Sequence, residues 1–117
     1  MHLNEYTNSD QKDIILIKFP YSDFSIKKLR PVLIISNNKY NLLNKDVIAC
    51  CISSKIKKRY WNIKITNDDL INKLNNNKNI IKIDSIYKIS KEEITNKISK
   101  LKEEKFKEII KKIKELF

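Results

Sequence analysis

Two arginines stand in a chain whose other positive charges are 23 lysines: Arg30 and Arg59. A guanidinium is a planar fork of five donors that matches phosphate or carboxylate, whereas an ammonium is a point charge. Arg30 therefore marks a position built to face an anion. It is followed by Pro31, which biases Arg30 toward an extended backbone and, lacking an N–H, suits the first position of a strand. Arg30 is thus held at the mouth of the loop that precedes it. That loop carries Tyr21, Ser22, Asp23 and Phe24, two aromatics among polar groups, the combination that stacks on and reads unpaired bases. Lys28, Lys55, Lys57, Lys58 and Arg59 are placed to contact phosphates. Each has a structural alternative. Arg30 as a salt-bridge partner of Asp23 or Asp84, the two aromatics as packing groups and the lysines as solvated surface explain the same residues.

Other chemistries are excluded by what is missing. His2 is the only histidine, in a polar stretch at the start, so there is no His pair for acid–base exchange, no Cys–His dyad and no zinc set. Cys50 and Cys51 are adjacent within an apolar run. On a strand they point to opposite faces, so they cannot share a metal ion, and they read as buried thiols. No cofactor or metal is expected. An enzyme made from this chain works with arginine, hydroxyls, carboxylates and lysine.

The elements that must position these groups follow from the apolar pattern. Ile14 to Ile17 and Val32 to Ile35 are short, β-branched and continuous, as in strands buried on both faces. Asp46 to Ser53 repeats that pattern and stops at Ser53-Ser54-Lys55. Tyr60 to Thr66 alternates, with Trp61, Ile63 and Ile65 on one face, as a half-buried antiparallel strand does. Asn37 to Lys45 is a loop with one helical turn, Asp68 to Leu74 a short helix, and Asn75 to Asn79 a polar loop. Ile80 to Ile83 forms a strand that ends at Asp84-Ser85. Ser90 and Glu93 have capping-box spacing for a brief helical turn, and Ile98 to Leu101 forms a last short strand. From Glu103 to Phe117, apolar Phe106, Ile109, Ile110, Ile113 and Leu116 recur at helical spacing. The sum is an α+β domain over residues 13–117 behind a flexible lead-in, residues 1–12.

A chain of 117 residues with 41% hydrophobic content makes a single domain with a modest core. Its formal charge of +11 points to a polyanionic partner, or else to a lysine- and asparagine-rich compositional bias. No apolar run approaches the roughly 18 residues of a membrane span, and the N-terminus lacks the apolar core of a signal peptide. A cytoplasmic protein with no membrane partner is expected.

In order, DIILIKFPYSDFSIKKLRPVLIIS, DVIACCISSKI, IIKIDSIYKISKEEITNKISKL and the terminal amphipathic helix resemble the MazF/PemK-like endoribonuclease toxins of type II toxin–antitoxin modules. The likeness spans residues 12 to 117. The family usually has glycine where this chain has Lys12, a departure that concerns a turn. The resemblance implies a small SH3-barrel-like, strongly bent antiparallel sheet with the C-terminal helix packed against it. It implies a homodimer, which would also cover the surplus apolar surface of the doubly buried strands. Among site residues it implies Arg30 and Ser53 acting on the scissile phosphate, with Ser54 as the alternate hydroxyl and Asp84 and Ser85 bordering the groove. The substrate implied is single-stranded RNA, whose own 2′-OH attacks the phosphorus to leave a 2′,3′-cyclic phosphate and a 5′-hydroxyl. A cognate antitoxin peptide would occupy the groove. Two other readings share this surface: a toxin of the same fold that binds DNA gyrase through its C-terminal helices, and an RNA-binding module that does not cleave.

Overall fold

The computed structural model describes residues 9–18 and 28–117. Six strands form one antiparallel sheet: β1 (Asp13–Lys18), β2 (Leu29–Ile34), β3 (Asp46–Ser53), β4 (Asn62–Thr66), β5 (Lys78–Ser90) and β6 (Ile94–Lys100), in the order β4-β5-β3-β2-β1-β6. Helix α1 (Asn38–Leu43) joins β2 to β3, and helix α2 (Glu103–Lys114) closes the chain. The expected bent sheet with a C-terminal helix is the architecture observed.

The bend follows from β5. Between Cys50 and Cys51 of β3 the facing residue of β5 jumps from Ile86 to Lys82, so Ile83, Asp84 and Ser85 bulge out of the ladder. A bulge adds residues to one strand and turns it. The strand expected to end at Asp84-Ser85 instead turns there and runs on to Ser90. At the far side the two edges are stitched together: Leu70, just past β4, bridges Leu101, just past β6, and Ile71 N–H donates to the Lys100 carbonyl at 2.9 Å. The sheet is thereby curled almost into a barrel.

Curling gives the continuous apolar strands two cores. Ile14, Leu33, Cys50, Ile52, Ile81 and Ile83 join one cluster with Phe106 and Ile109 of α2. Ile15, Ile17, Val32, Ile34, Val47 and Ala49 face the other way and pack with Ile89 and Ile94. Alternation along each strand assigns neighbours to opposite clusters. Both faces of β1 and β2 are therefore covered within one chain. A flat sheet would leave one of them for a second copy, but the bend removes that reason for a dimer.

Other expectations shift in extent. The last strand starts at Ile94, four residues before the apolar run, because Asn96 and Lys97 pair with Leu16 and Ile15 along an exposed edge. The helix expected over Asp68 to Leu74 is only a 3₁₀ turn, Asn67–Asp69, closed by a capping box between Thr66 and Asp69. Ser90 does cap a turn, Lys91–Glu93, by accepting from the Glu92 N–H at 3.2 Å. Helix α2 stops at Lys114, and Phe117 lies 93% exposed beyond it. Of the expected lead-in, residues 1–8 lie outside the described residues; in the remainder Gln11 N–H donates to Asn38 Oδ1 at 2.7 Å and Lys12 N–H to the Ile34 carbonyl at 2.9 Å. Lys12 has φ 80, the left-handed region that favours glycine. Asp13 is buried beneath it and held by Lys97 and Lys100 at 3.1 Å each.

Candidate functional site

The ladder between β2 and β3 runs from Ile34↔Ala49 to Val32↔Cys51 and stops. Pro31 is the next residue of β2. It still faces Leu16 of β1 but forms no pair with β3. Without an N–H it cannot donate to the ladder on that side. The strands part there, each carrying two more residues. Continuing the register sets Arg30 across from Ser53, on the face shared by Val32 and Cys51. This is how residues 23 positions apart come together: one proline, two strand ends and the alternation of side chains.

The parted strands open a groove of about 550 Å³, whose lining includes Arg30, Ser53, Ser54, Lys55 and Ser85 among the expected residues. Lys82, Cys51, Asn76, Asn79 and Tyr87 complete the polar lining and were not anticipated. Lys82 is the informative omission. It alternates with Ile81 and Ile83, both fully buried in the first cluster, so a lysine inside an isoleucine run had to face the opposite side. The same rule separates the cysteines. Cys50 is core, and burial pushes its thiol up to about 12. Cys51 is only half-buried and lines the groove, contrary to the expectation of two buried thiols. Burial raises the Cys51 thiol, while Lys82 and Arg30 pull it down, which places both cations beside it.

The Ser53 hydroxyl accepts from the Lys55 backbone N–H at 3.1 Å, so its oxygen is oriented and its proton remains to be donated. Arg30 is exposed, and among the described residues no carboxylate pairs with it. Asp84 is engaged elsewhere. Its Oδ2 lies 2.9 Å from Arg59 Nη2 and its Oδ1 3.5 Å from Arg59 Nη1. That hydrogen bond holds the Asp84 carboxyl below the usual carboxylate range and raises the Arg59 guanidinium in turn. Asp84 and Arg59 therefore form a pair outside the groove lining. Lys28, Lys57 and Lys58 are exposed and also lie outside it. Tyr21, Ser22, Asp23 and Phe24 fall outside the described residues.

The result is a groove with Arg30, Lys55 and Lys82 on its walls and no carboxylate among its described lining residues. Three cations without an internal counter-charge favour a bound polyanion. Among the described residues no three of His, Cys, Asp or Glu gather as a metal site requires, and no helix is long and apolar enough to cross a membrane.

A family model described as PemK-like, MazF-like toxin of type II toxin–antitoxin system matches residues 10–117. Solved structures share the fold at low identity. The MazE–MazF complex of Deinococcus radiodurans aligns with a TM-score of 0.75 and 15% identity, covering 92% of this chain and 94% of that one. An endoribonuclease in complex with its cognate antitoxin from a mycobacterial species gives 0.72 and 16%, covering 90% of each chain. Toxin MazF-mt6 of Mycobacterium tuberculosis gives 0.70 and 16%, covering 88% and 93%. Comparison with curated proteins finds no match.

Proposed function

The chain belongs to the PemK-like, MazF-like toxins of type II toxin–antitoxin systems, and from that premise we propose that it is a metal-independent endoribonuclease acting on single-stranded RNA in the cytoplasm. The observation that carries this reading is that Arg30 and Ser53, opposite each other when the register is continued past the last β2–β3 pair, line one groove walled by cations.

In this reading the scissile phosphate sits between the two strand ends. The neighbouring 2′-OH attacks in line, and the phosphorane gathers negative charge on its equatorial oxygens. The Arg30 fork and the Ser53 hydroxyl donate to those oxygens more strongly than to the ground-state phosphate, which is the condition for lowering the barrier. The 2′-OH gives up its proton to solvent, the bond to the 5′-oxygen breaks and that oxygen takes a proton up, leaving a 2′,3′-cyclic phosphate and a 5′-hydroxyl. Lys55 and Lys82 hold flanking phosphates, and Ser85 and Ser54 supply further hydroxyls on the wall. The substrate provides its own nucleophile, so no metal-bound water is called for.

Two partners complete the proposal. A cognate antitoxin would block the groove by laying its own chain over the open ends of β2 and β3; a mycobacterial endoribonuclease of the same fold is solved with its antitoxin. A homodimer is proposed on the family's pattern, since both apolar faces of the sheet are already covered in one chain.

The test is cleavage of a defined single-stranded RNA in excess EDTA. Undiminished cleavage is expected, whereas strict dependence on added Mg²⁺ or Mn²⁺ overturns the mechanism. Growth arrest without any RNA cleavage would instead support the gyrase-binding reading, and RNA binding without cleavage the plain binding module.

A further inference from the structure

Cleavage needs a proton that Arg30 and Ser53 are ill suited to supply. As the phosphorane collapses, the electron pair of the bond to the 5′-oxygen stays on that oxygen, and the alkoxide leaves poorly unless it is protonated as it departs. Arginine does not release its proton in a protein. A serine hydroxyl gains nothing by passing its proton to another alkoxide. The described lining of the groove contains neither histidine nor carboxylate. The remaining proton-bearing side chains that could serve are Lys82, Lys55, Cys51 and Tyr87.

Register singles out Lys82. It pairs with Cys51 of β3, which pairs with Val32 of β2, so the three form one row across the sheet. Arg30 and Ser53 lie two residues further along their strands, on the same face and in the next row. Ser53 is thus the diagonal neighbour of Lys82, and diagonal neighbours stand roughly 7–8 Å apart, within reach of a long side chain. Against the burial that raises the Cys51 thiol, Lys82 pulls it down and Arg30 follows, so both cations reach the same ground. Lys82 is half-buried, and among the described residues no carboxylate is ion-paired with it: Asp84, two positions on, feels its charge but is bonded to Arg59. The rivals are placed worse. Lys55 lies past the end of β3 and is exposed. Tyr87 pairs with Ala49, two rows from Arg30, and packs against the second core cluster. A thiol is a weak donor. The apical bonds of a phosphorus held by Arg30 and Ser53 through its equatorial oxygens stand at right angles to the line joining those two groups, and one such direction leads back along the strands to Lys82.

We propose that Lys82 is the general acid of the cleavage: its ammonium gives a proton to the departing 5′-oxygen, and the neutral amine left behind takes a proton back from water. The assignment rests on the nuclease reading of the groove and names the source of the proton in its last step. It is a role that lysine can fill and arginine cannot, because an ammonium releases its proton and a guanidinium does not.

Two RNAs and two substitutions test it. One RNA is ordinary, and the other carries sulfur in place of the 5′-oxygen at the cut, a leaving group that departs as a thiolate and needs no proton. Wild type, Lys82→Arg and Lys82→Met, with folding checked by circular dichroism, cut both at saturating substrate in single turnover, and either variant decides alone where the other fails to fold. On ordinary RNA both should lose about 10²–10⁴ in rate, the usual contribution of general acid–base catalysis. On the sulfur-bridged RNA both should match the wild type, whereas Arg30→Ala should stay slow on both substrates, because it acts on oxygens that the sulfur does not replace. A Lys82→Arg variant that cuts ordinary RNA as the wild type does, or a loss in Lys82→Met that is equal on the two RNAs, reduces Lys82 to a phosphate contact and overturns the assignment while the nuclease reading stands. Sulfur rescue of Cys51→Ala in place of the Lys82 variants overturns it too. If the wild type cuts neither RNA, the nuclease reading itself falls and the role of Lys82 falls with it.

Discussion

The two arginines do opposite work. Arg59, in the loop three residues before β4, is closed onto Asp84 in a two-pronged pair at 2.9 and 3.5 Å. Arg30, at the parted end of β2, has other cations around it and no carboxylate among the described residues. The first arrangement satisfies its charge within the fold. The second leaves the fork without a carboxylate among the described residues, a state suited to a ligand of opposite charge. The lesson is that residue type marks both positions equally, and what separates the two environments is where the nearby carboxylate has gone. Here the bulge in β5 settles that by turning Asp84 toward Arg59 and Ser85 into the groove.

The largest expected effect comes from removing one arginine at a time. Arg30→Ala should cut single-turnover RNA cleavage by about 10²–10³ while the circular dichroism spectrum is unchanged. Arg30→Lys should retain substrate binding and still lose most of the rate, because charge without the fork leaves the phosphorane half-supported. Arg59→Ala should leave cleavage by folded protein nearly intact and cost little stability, because solvent screens an exposed ion pair. Equal losses from Arg30→Ala and Arg59→Ala would erase the distinction.

A smaller effect sharpens the site side of the comparison. Ser53→Ala should slow cleavage by about 10²-fold or less, whereas Ser54→Ala should matter little. Of the two hydroxyls, Ser53 lies on the Arg30 face and is oriented by the Lys55 N–H. The reverse order, measured as kcat on one RNA, would move the working hydroxyl one residue along.

Smallest is an effect confined to the frame. Glycine is normally about 0.5–1 kcal/mol less stabilising than alanine. At Lys12, with φ 80, alanine retains a left-handed penalty of about 1–2 kcal/mol that glycine lacks. Lys12→Gly should therefore be more stable than Lys12→Ala in urea titration, by about 1 kcal/mol, with cleavage unaffected in both. Alanine ahead of glycine would contradict the backbone geometry.

Much of the frame was legible in the sequence because burial on both faces writes itself as continuous β-branched runs, and β1, β2 and β3 lie where those runs lie. The spacing of Phe106, Ile109, Ile110, Ile113 and Leu116 marked α2 in the same way. What was hidden depends on pairing between distant segments. Asp84-Ser85 has the composition of a strand end, and only its ladder to Cys50 and Cys51 reveals a bulge within a longer strand. Thr95, Asn96 and Lys97 carry no apolar signal because they lie on an edge, where polar residues guard against further pairing. At the site, Arg30 and Ser53 were reached through Pro31 and the family likeness. Lys82, Cys51 and Asn79 were missed, although strict alternation from Ile81, Ile83 and Cys50 would have turned the first two toward the groove. Asn79 had no such signal, since alternation from Ile81 sets it on the core side of β5.

The central claim is that the groove cleaves RNA with the substrate's own hydroxyl as nucleophile, and one modified oligonucleotide tests it most directly. A single 2′-deoxy residue is placed on the 5′ side of the cleaved bond in an otherwise unmodified RNA, and products are resolved in excess EDTA. The account predicts that cleavage at that bond ceases, that it continues at other sites, and that those products end in a 2′,3′-cyclic phosphate facing a 5′-hydroxyl. Continued cutting at the deoxy position, or products bearing a 5′-phosphate, would contradict it.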